Sequence, residues 1–212
     1  LETWLHTNGM MLNEKNAKKL IQFGLKKINI SIDANTKETY EKYRVGGKFD
    51  RVVNNVLNFL KIKEEMDASY LRVRLSFVEQ EGNFSEKKGF YDFWSTKKGV
   101  NTITFQKCLD FSLFDEKDYD RNLSEKELDN KYKDEEPFFC SNPFETPIIR
   151  EDGKVTPCGM PVREENEDFV VGDISKGDKI KDIWNGTKMK RLREKHRNNK
   201  WYTENMCRVC VK

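Results

Sequence analysis

Four cysteines in the last third of the chain have the residue type and spacing of metal ligands: Cys140, Cys158, Cys207 and Cys210. Two residues separate the last pair, an interval that lets both thiolates face one ion or one cluster. The first two flank a segment containing Asp152-Gly153, a dipeptide typical of hairpin turns. A closed hairpin brings both of them near one point. We therefore predict a metal site with these four thiolates as ligands.

The spacing by itself leaves the identity of the metal open. Structural zinc sites commonly use two Cys-x2-Cys pairs, and the single pair here favours an iron–sulfur cluster modestly over zinc. Four reduced cysteines, some buried as small hydrophobic side chains, are the remaining alternative. Cys108 has no partner at ligand spacing and is expected to be a barrel-core thiol. His6 and His196 are expected to be structural or solvated.

The composition excludes several classes of protein. Charged residues make up 35% of the 212 residues, yet the apolar residues recur in periodic runs typical of a folded domain. A formal net charge of +3 is too small to indicate nucleic-acid binding. No apolar run approaches the ~20 residues that cross a bilayer, and no signal peptide is visible. We expect a protein of the reducing cytoplasm, where clustered cysteines bind metal, with no nucleic-acid or membrane partner.

The elements that must position these residues alternate along the first half of the chain. Period-2 segments predict strands over residues 1–6, 27–32, 71–78 and 101–106, and helical patterns at 14–23, from Thr36, at 50–66 and at 85–97 lie between them. Such alternation with short connections indicates parallel strands joined by right-handed crossovers. Four strands make an incomplete barrel or an open sheet. Residues 1–109 are therefore predicted to form part of an α/β barrel.

The character of the sequence changes twice after the fourth strand. Residues 110–136 are rich in charge, with few apolar anchors, and are predicted to be a linker. From residue 137 onwards, short strands at 146–150 and 154–157 precede a helical segment at 178–198 that is interrupted near Asn185-Gly186. Residues 137–212 are therefore predicted to form a small second domain that holds the metal site.

Four motifs in this second domain resemble a known family: Cys140-x12-Gly153-x4-Cys158, Val171-Gly172-Asp173-Ile174, Ile183-Trp184-Asn185-Gly186 and Cys207-x2-Cys210. Their order is similar to that of the SPASM or twitch domain, the C-terminal auxiliary iron–sulfur domain of many radical SAM enzymes. The resemblance implies a partial (β/α)6 TIM-like barrel followed by a small α+β SPASM/twitch domain. It also implies that the four cysteines bind one auxiliary 4Fe–4S cluster, since no further cysteine follows Cys210.

The first half resembles the barrel of the same family. Thr7-Asn8-Gly9 resembles the turn after its third strand, and Ile30-Ser31-Ile32-Asp33-Ala34 resembles its fourth strand. By this resemblance, Asn8, Gly9, Ser31, Asp33 and Arg44 are candidate contacts of S-adenosylmethionine. Ser31 would meet the ribose, with Asp33 beside it, and Arg44 would hold the methionine carboxylate. The alternatives are an ordinary strand end for Ser31 and Asp33 and a surface ion pair for Arg44. Asn83 and Glu86 match a family position of uncertain role.

One departure from the family is clear. The CxxxCxxC motif, whose thiolates hold the cluster that cleaves S-adenosylmethionine, does not occur in the sequence, which starts at Leu1. We expect that two or three βα units precede these residues in a full-length parent. We also expect that the 212-residue chain alone does not cleave S-adenosylmethionine.

The resemblance further implies a function for the parent. It would use S-adenosylmethionine and a second 4Fe–4S cluster to generate a 5′-deoxyadenosyl radical that oxidises or modifies a peptide or small-molecule substrate. A flavodoxin or ferredoxin would act as the reductant, and the auxiliary cluster would take part in electron transfer. No catalytic residue is identified from the sequence. The alternative is a non-catalytic binding or scaffold module stabilised by zinc on the four cysteines.

Overall fold

The computed structural model describes residues 2–108, 123–159 and 169–211. The chain divides into two compact units, Leu1–Asp110 and Phe111–Lys212. In the described part of the chain, no helix has both the length and the apolar character needed to span a membrane. The predicted linker covers residues 110–136. Of these, residues 110–122 lie outside the residues that the structure describes, as does residue 109.

The first unit alternates strands and helices. In chain order its elements are β1 (Trp4–Thr7), α1 (Glu14–Gln22), β2 (Lys27–Ser31), α2 (Lys37–Tyr43), α3 (Phe49–Glu65), β3 (Arg72–Glu79), α4 (Lys87–Ser95) and β4 (Val100–Lys107). The four strands form one sheet in the order β1-β2-β3-β4, and every neighbouring pair is parallel. The prediction of an α/β fold with a parallel sheet is confirmed, while closure into a barrel remains a prediction.

Side-chain caps explain the starts of two helices in the first unit. The Asn13 side chain accepts a hydrogen bond from the Asn16 backbone amide at 3.0 Å and caps α1. Thr36 caps α2 in the same way. The helix predicted from residue 50 begins one residue earlier, at Phe49, so Asp50 is not its cap. Asp50 lies instead in the first turn, where a negative charge still complements the helix dipole.

The sheet of the first unit has one apolar face and one polar face. Ile28, Ile30, Val73, Leu75 and Phe77 are almost fully buried in a core that also includes side chains of α1, α3 and α4. The alternate residues of the same strands face the other way and include His6, Asn29, Ser31, Arg74 and Ser76. In a parallel sheet packed on both faces the strand sequences are continuous apolar runs. The sequences of these strands instead alternate between apolar and polar residues. The alternation favours a barrel strand whose polar side faces the interior.

The second unit combines short helices with a small sheet. Its elements are α5 (Glu125–Tyr132), α6 (Asn142–Glu145), β5 (Ile148–Ile149), β6 (Lys154–Thr156), β7 (Gly172–Asp173), α7 (Ile180–Trp184), α8 (Thr187–Arg197) and α9 (Asn205–Val211). The three strands form an antiparallel sheet in the order β5-β6-β7. The predicted hairpin at Asp152-Gly153 joins β5 to β6, with Gly153 at φ +86°. Gly172 and Asp173, which belong to the second of the four motifs, form the short strand β7.

Part of the segment predicted to be a linker is a packed helix. Ser124 and Glu127 form a reciprocal capping box at the start of α5. Leu128 and Tyr132, four residues apart, bury one face of this helix, and the Tyr132 ring stacks on the Tyr202 ring with centroids 5.0 Å apart. The charged composition of the segment concealed this single apolar stripe.

Gly172 allows a close approach between β7 and α7. A Cβ atom at this position would lie 2.4 Å from Cγ1 of Ile183. We expect Gly172→Ala to destabilise the second unit by about 1–3 kcal/mol, because the isoleucine must move out of a packed position. Faster hydrogen exchange in β6 and β7 would measure this loss.

Gly159→Ala is the matched control, since no atom of the described residues lies within 4 Å of its added Cβ. We expect this variant to change the free energy of unfolding by less than about 0.5 kcal/mol. Equal effects of the two substitutions would contradict the packing argument.

Candidate functional site

The four predicted ligands of the second unit line one small cavity. Cys140 lies before α6, Cys158 follows β6, and Cys207 and Cys210 lie one turn apart on α9. The cavity has a volume of about 30 Å³, and its other lining residues are mainly apolar: Phe138, Asn142, Pro143, Phe169, His196 and Met206. The Cys-x2-Cys pair is on a helix rather than on the tight turn that its spacing suggested. An i, i+3 spacing nevertheless places both side chains on one helix face.

Backbone and side-chain contacts hold the elements around the cavity in place. The hydroxyl of Thr156 donates to the carbonyl of Cys158 at 2.9 Å and fixes the turn after β6. Arg193 on α8 donates to the carbonyl of Pro143 in α6 and to the carbonyl of Trp184 at the end of α7, both at 2.8 Å. This single guanidinium therefore ties three helices of the second unit together.

The helix that carries the Cys-x2-Cys pair is anchored by a buried arginine. Arg208 is 3% exposed, and its guanidinium donates to the carbonyl of Tyr202 and to the side chain of Asn205. Tyr202 in turn packs in the cluster formed with α5. The packing of α5 is therefore connected to the position of two predicted ligands.

The environment of the cavity disfavours ionisation of the Cys207 and Cys210 thiols, because it raises the pKa of each. Burial raises the pKa of Cys207 well above its usual range, and the negative charges of Cys158, Glu204, Cys140 and Cys210 raise it further. Burial and the charge of Cys140 likewise raise the pKa of Cys210. Thiolates are the metal-binding form of cysteine, and they become favourable here only when a cation compensates their mutual repulsion.

Four cysteine side chains around one apolar cavity fit a 4Fe–4S cluster, in which each thiolate binds a different iron. A tetrahedral zinc ion is bound by four thiolates as well.

Two residues outside the predicted ligand set differ from their sequence-based interpretation. Cys108 was expected to be buried in a barrel core, but it is exposed just beyond the end of β4. His196 was expected to be structural or solvated, yet it lines the cavity, with its Nε2 atom 3.5 Å from Sγ of Cys207. Burial lowers the pKa of His196, against an opposing contribution from the charge of Glu204. His196 is a single histidine within a basic helical segment, and nothing in that pattern predicts a contact with Cys207.

The candidate contacts of S-adenosylmethionine lie at the carboxyl ends of β1 and β2. Asn8 and Gly9 form the turn after β1, where the Asn8 side chain accepts from the Met10 amide at 3.0 Å. Gly9 is buried with φ +76°, and a Cβ atom there would lie 3.1 Å from Cγ1 of Val52. Ser31 ends β2, and its hydroxyl is 3.1 Å from the hydroxyl of Ser76 on β3. Ligands of parallel α/β sheets bind at this edge.

Asp33 and Arg44 form an ion pair with each other. The Arg44 guanidinium donates to Oδ2 of Asp33 through Nε, at 2.9 Å, and through Nη2. Oδ1 of Asp33 accepts from the Val78 amide at 2.8 Å, and only 4% of the residue is exposed. Asp33 also has φ +62°, an uncommon value for a residue with a side chain. Arg44 therefore forms an ion pair, which was the alternative considered for it. Its partner, the Asp33 carboxylate, is buried rather than exposed at the surface.

Asn83 and Glu86 support this edge from the chain that follows β3. The Asn83 amide group is fully buried and donates to the carbonyls of Asp33 and Val78, both at 2.9 Å. Glu86 accepts from the amides of Asn35 and Thr36 and from the hydroxyls of Thr36 and Thr39. These contacts place Asn83 and Glu86 as structural supports of the start of α2.

The contacts of Glu86 make the stability of the first unit depend on pH. Burial works to raise the pKa of Glu86, but the hydrogen bonds from Thr39, Thr36 and Asn35 outweigh it and lower the pKa. A lowered pKa contributes stability above the unfolded value of about 4.3 and loses it as the pH falls through the folded value. We expect Glu86→Gln to cost about 1 kcal/mol at pH 7 and nothing at pH 3, as measured by urea unfolding.

Glu81→Gln is the control for this titration, since Glu81 is exposed on the same connection. Its unfolding curve is expected to follow that of the wild type at every pH. A difference between Glu86→Gln and wild type that persists undiminished at pH 3 would contradict the assignment.

Comparison with known proteins gives one family match and several curated relatives. Residues 140–211 match the SPASM family, described as an iron-sulfur cluster-binding domain. Over 97 residues the chain is 36% identical to a Saccharolobus islandicus (strain Y.N.15.51 / Yellowstone #2) protein named "Probable GTP 3′,8-cyclase", covering 46% of this chain and 29% of that protein. A Methanocaldococcus jannaschii protein of the same name is 32% identical over 89 residues, covering 42% and 28%. The matches span less than a third of these curated relatives.

One solved structure aligns with nearly the whole chain. "Crystal structure of BtrN in complex with AdoMet and 2-DOIA" covers 98% of this chain and 92% of its own, with a TM-score of 0.47 and 12% identity. The resemblance predicted from the sequence is confirmed by the family match and the relatives: residues 140–211 match a SPASM iron–sulfur cluster-binding domain, and the chain is homologous to radical SAM GTP 3′,8-cyclases.

Proposed function

We propose that this chain works in a radical SAM enzyme and that its second unit binds one auxiliary 4Fe–4S cluster through Cys140, Cys158, Cys207 and Cys210. The observation that carries the proposal is an apolar cavity that all four thiols line. Such a cluster, when bound, supplies one-electron transfer. With four cysteines available as ligands, no iron is left open for substrate, which favours electron transfer over substrate ligation.

The first unit would hold S-adenosylmethionine at the carboxyl edge of its sheet. Asn8, Gly9 and Ser31 lie at this edge, and the Asp33–Arg44 pair lies beside them. The polar face of the sheet would meet a peptide or small-molecule substrate. On this face the Arg74 side chain donates to the hydroxyl of Thr104 at 3.2 Å. Because these relatives are named as probable GTP 3′,8-cyclases, a nucleotide is one small molecule to test as a substrate.

The proposal includes the setting in which the chain works. A flavodoxin or ferredoxin would supply electrons in the cytoplasm, and no nucleic-acid or membrane partner is proposed. The sequence contains no CxxxCxxC motif, so the 212-residue chain is not expected to cleave S-adenosylmethionine by itself. Formation of 5′-deoxyadenosine by the anaerobically reconstituted chain would contradict this part of the proposal.

Metal analysis after anaerobic purification tests the central claim. A brown protein with about four irons and four sulfides per chain is the expected result. A colourless protein with one zinc would replace the proposal with the non-catalytic zinc module.

A further inference from the structure

His196 contacts a predicted cluster ligand from a helix that contributes no ligand itself. It lies on α8, is 3% exposed, and places Nε2 at 3.5 Å from Sγ of Cys207, within hydrogen-bonding distance for sulfur. Four cysteines already line the cavity, so the histidine is a neighbour of the ligand set rather than a member of it. Its hydrogen-bonding contact is with the sulfur of Cys207.

The hydrogen-bonding partners of the imidazole indicate which nitrogen carries the proton. The Nδ1 atom of His196 is buried and has no hydrogen-bond partner among the described residues. A buried N–H group without an acceptor costs more free energy than an unshared lone pair, so the proton belongs on Nε2. In this tautomer Nε2–H points at the sulfur as a donor.

The charged groups around His196 do not replace this donor. Glu204, the acidic residue whose charge acts on the imidazole, is paired with Nζ of Lys195 at 2.6 Å. Glu204 is therefore engaged by Lys195. The contact from α8 to the sulfur of Cys207 is made by the imidazole N–H of His196.

We propose that His196 is a positioning residue that donates Nε2–H to the Cys207 sulfur and thereby raises the reduction potential of the auxiliary cluster. This inference rests on the proposed 4Fe–4S site. One-electron reduction adds negative charge that is shared with the ligand sulfurs, and a hydrogen-bond donor stabilises the reduced form more than the oxidised form. The histidine therefore biases the second unit towards accepting an electron.

Two substitutions separate the hydrogen bond from packing. His196→Leu removes the donor while filling the space, whereas His196→Gln offers an N–H group at a similar distance from the backbone. We expect all variants to keep about four irons per chain. We expect the leucine variant to lower the equilibrium constant for cluster reduction about tenfold, which is about 59 mV for one electron. The glutamine variant is expected to recover most of this shift in an EPR-monitored redox titration.

The chain contains only two histidines, which provides a measurement on the unsubstituted protein. Selective nitrogen-15 labelling of histidine should change the frequency of a weak nitrogen coupling to the reduced cluster in pulsed EPR. The coupling should persist in His6→Gln, which alters the other histidine, in the first unit. This measurement does not depend on the folding of any His196 variant.

Each outcome decides a separate question. A colourless zinc protein would overturn the proposed cluster and this inference together. An iron-loaded protein without the nitrogen coupling, or with equal potentials in wild type and His196→Leu, would overturn the inference alone. Loss of iron in both His196 variants would overturn it as well, because it would make His196 a ligand or a structural requirement.

Discussion

Replacing Cys207 by alanine is expected to remove the iron–sulfur cluster and to destabilise the second unit. Cys207 lines the same cavity as the other three candidate ligands, and their charges act on its pKa. In small metal domains the free energy of metal binding contributes directly to folding. We therefore expect the iron content to fall from about four per chain to less than about one. Iron and sulfide analysis of anaerobically purified protein measures this change.

Cys108→Ala is the matched control because Cys108 is exposed at the end of the first unit's last strand. This variant is expected to keep the full iron content and the visible absorbance of the wild type. Equal losses of iron from the two variants would contradict the ligand assignment. Four irons retained in Cys207→Ala would contradict it as well, and would point to a cluster held elsewhere.

The second unit should also unfold more easily when the cluster is lost. Hydrogen exchange in α5 and α9 is the suitable measurement, because the Tyr132 ring of α5 stacks on Tyr202, whose carbonyl accepts from Arg208 of α9. Faster exchange confined to the second unit is expected in Cys207→Ala. Unchanged exchange would show that the side-chain cluster around Trp201 holds the unit together without the metal.

Hydrophobic periodicity made the parallel sheet predictable. In β3 the residues alternate so clearly that Val73, Leu75 and Phe77 had to share one face, and the structure buries all three. The Asp152-Gly153 dipeptide likewise determines the hairpin, since few residues other than glycine accept φ +86°. These features depend on neighbours along the chain, which the sequence displays directly.

Contacts between distant residues were harder to predict. Nothing in the sequence near His196 indicated that it would lie against Cys207, because that contact depends on how α8 packs beside α9. The α5 helix was concealed for a related reason: its apolar stripe consists of only Leu128 and Tyr132 within a charged segment. In both cases the decisive partner is supplied by tertiary structure.

The partner of Arg44 was also hard to predict, although the resemblance had identified this residue as a candidate. The match to the radical SAM pattern suggested that its guanidinium binds a carboxylate, and in the structure it does bind one. The carboxylate belongs to Asp33, eleven positions earlier, rather than to a ligand. A guanidinium has several donors on its two edges, so the sequence alone could not decide between these partners.

Replacing Asp33 by alanine is expected to destabilise the first unit by roughly 3–5 kcal/mol. The change leaves the Arg44 guanidinium without its partner and the Val78 amide without its acceptor. It also places a residue without a polar side chain at φ +62°, where asparagine and aspartate are tolerated better. Urea unfolding of the first unit measures the loss.

Asp33→Asn isolates the charge, because its amide oxygen can still accept from Val78 and its backbone still tolerates the left-handed conformation. We expect this variant to lose about half as much stability as the alanine variant. Asp50→Ala is the control: Asp50 pairs with Lys37 at the surface, and its loss should cost about 0.5 kcal/mol.

A double-mutant cycle with Asp33→Asn and Arg44→Gln decides what the arginine does. If the two side chains stabilise each other, the double variant loses less stability than the two single variants together, by about 1–3 kcal/mol. The ion pair then fixes the loop that follows β2, and Arg44 supports the ligand edge from the side. An interaction energy near zero would contradict the ion pair. Arg44 would then remain a candidate for the role that the resemblance implies, in which its guanidinium binds a methionine carboxylate at the end of the sheet.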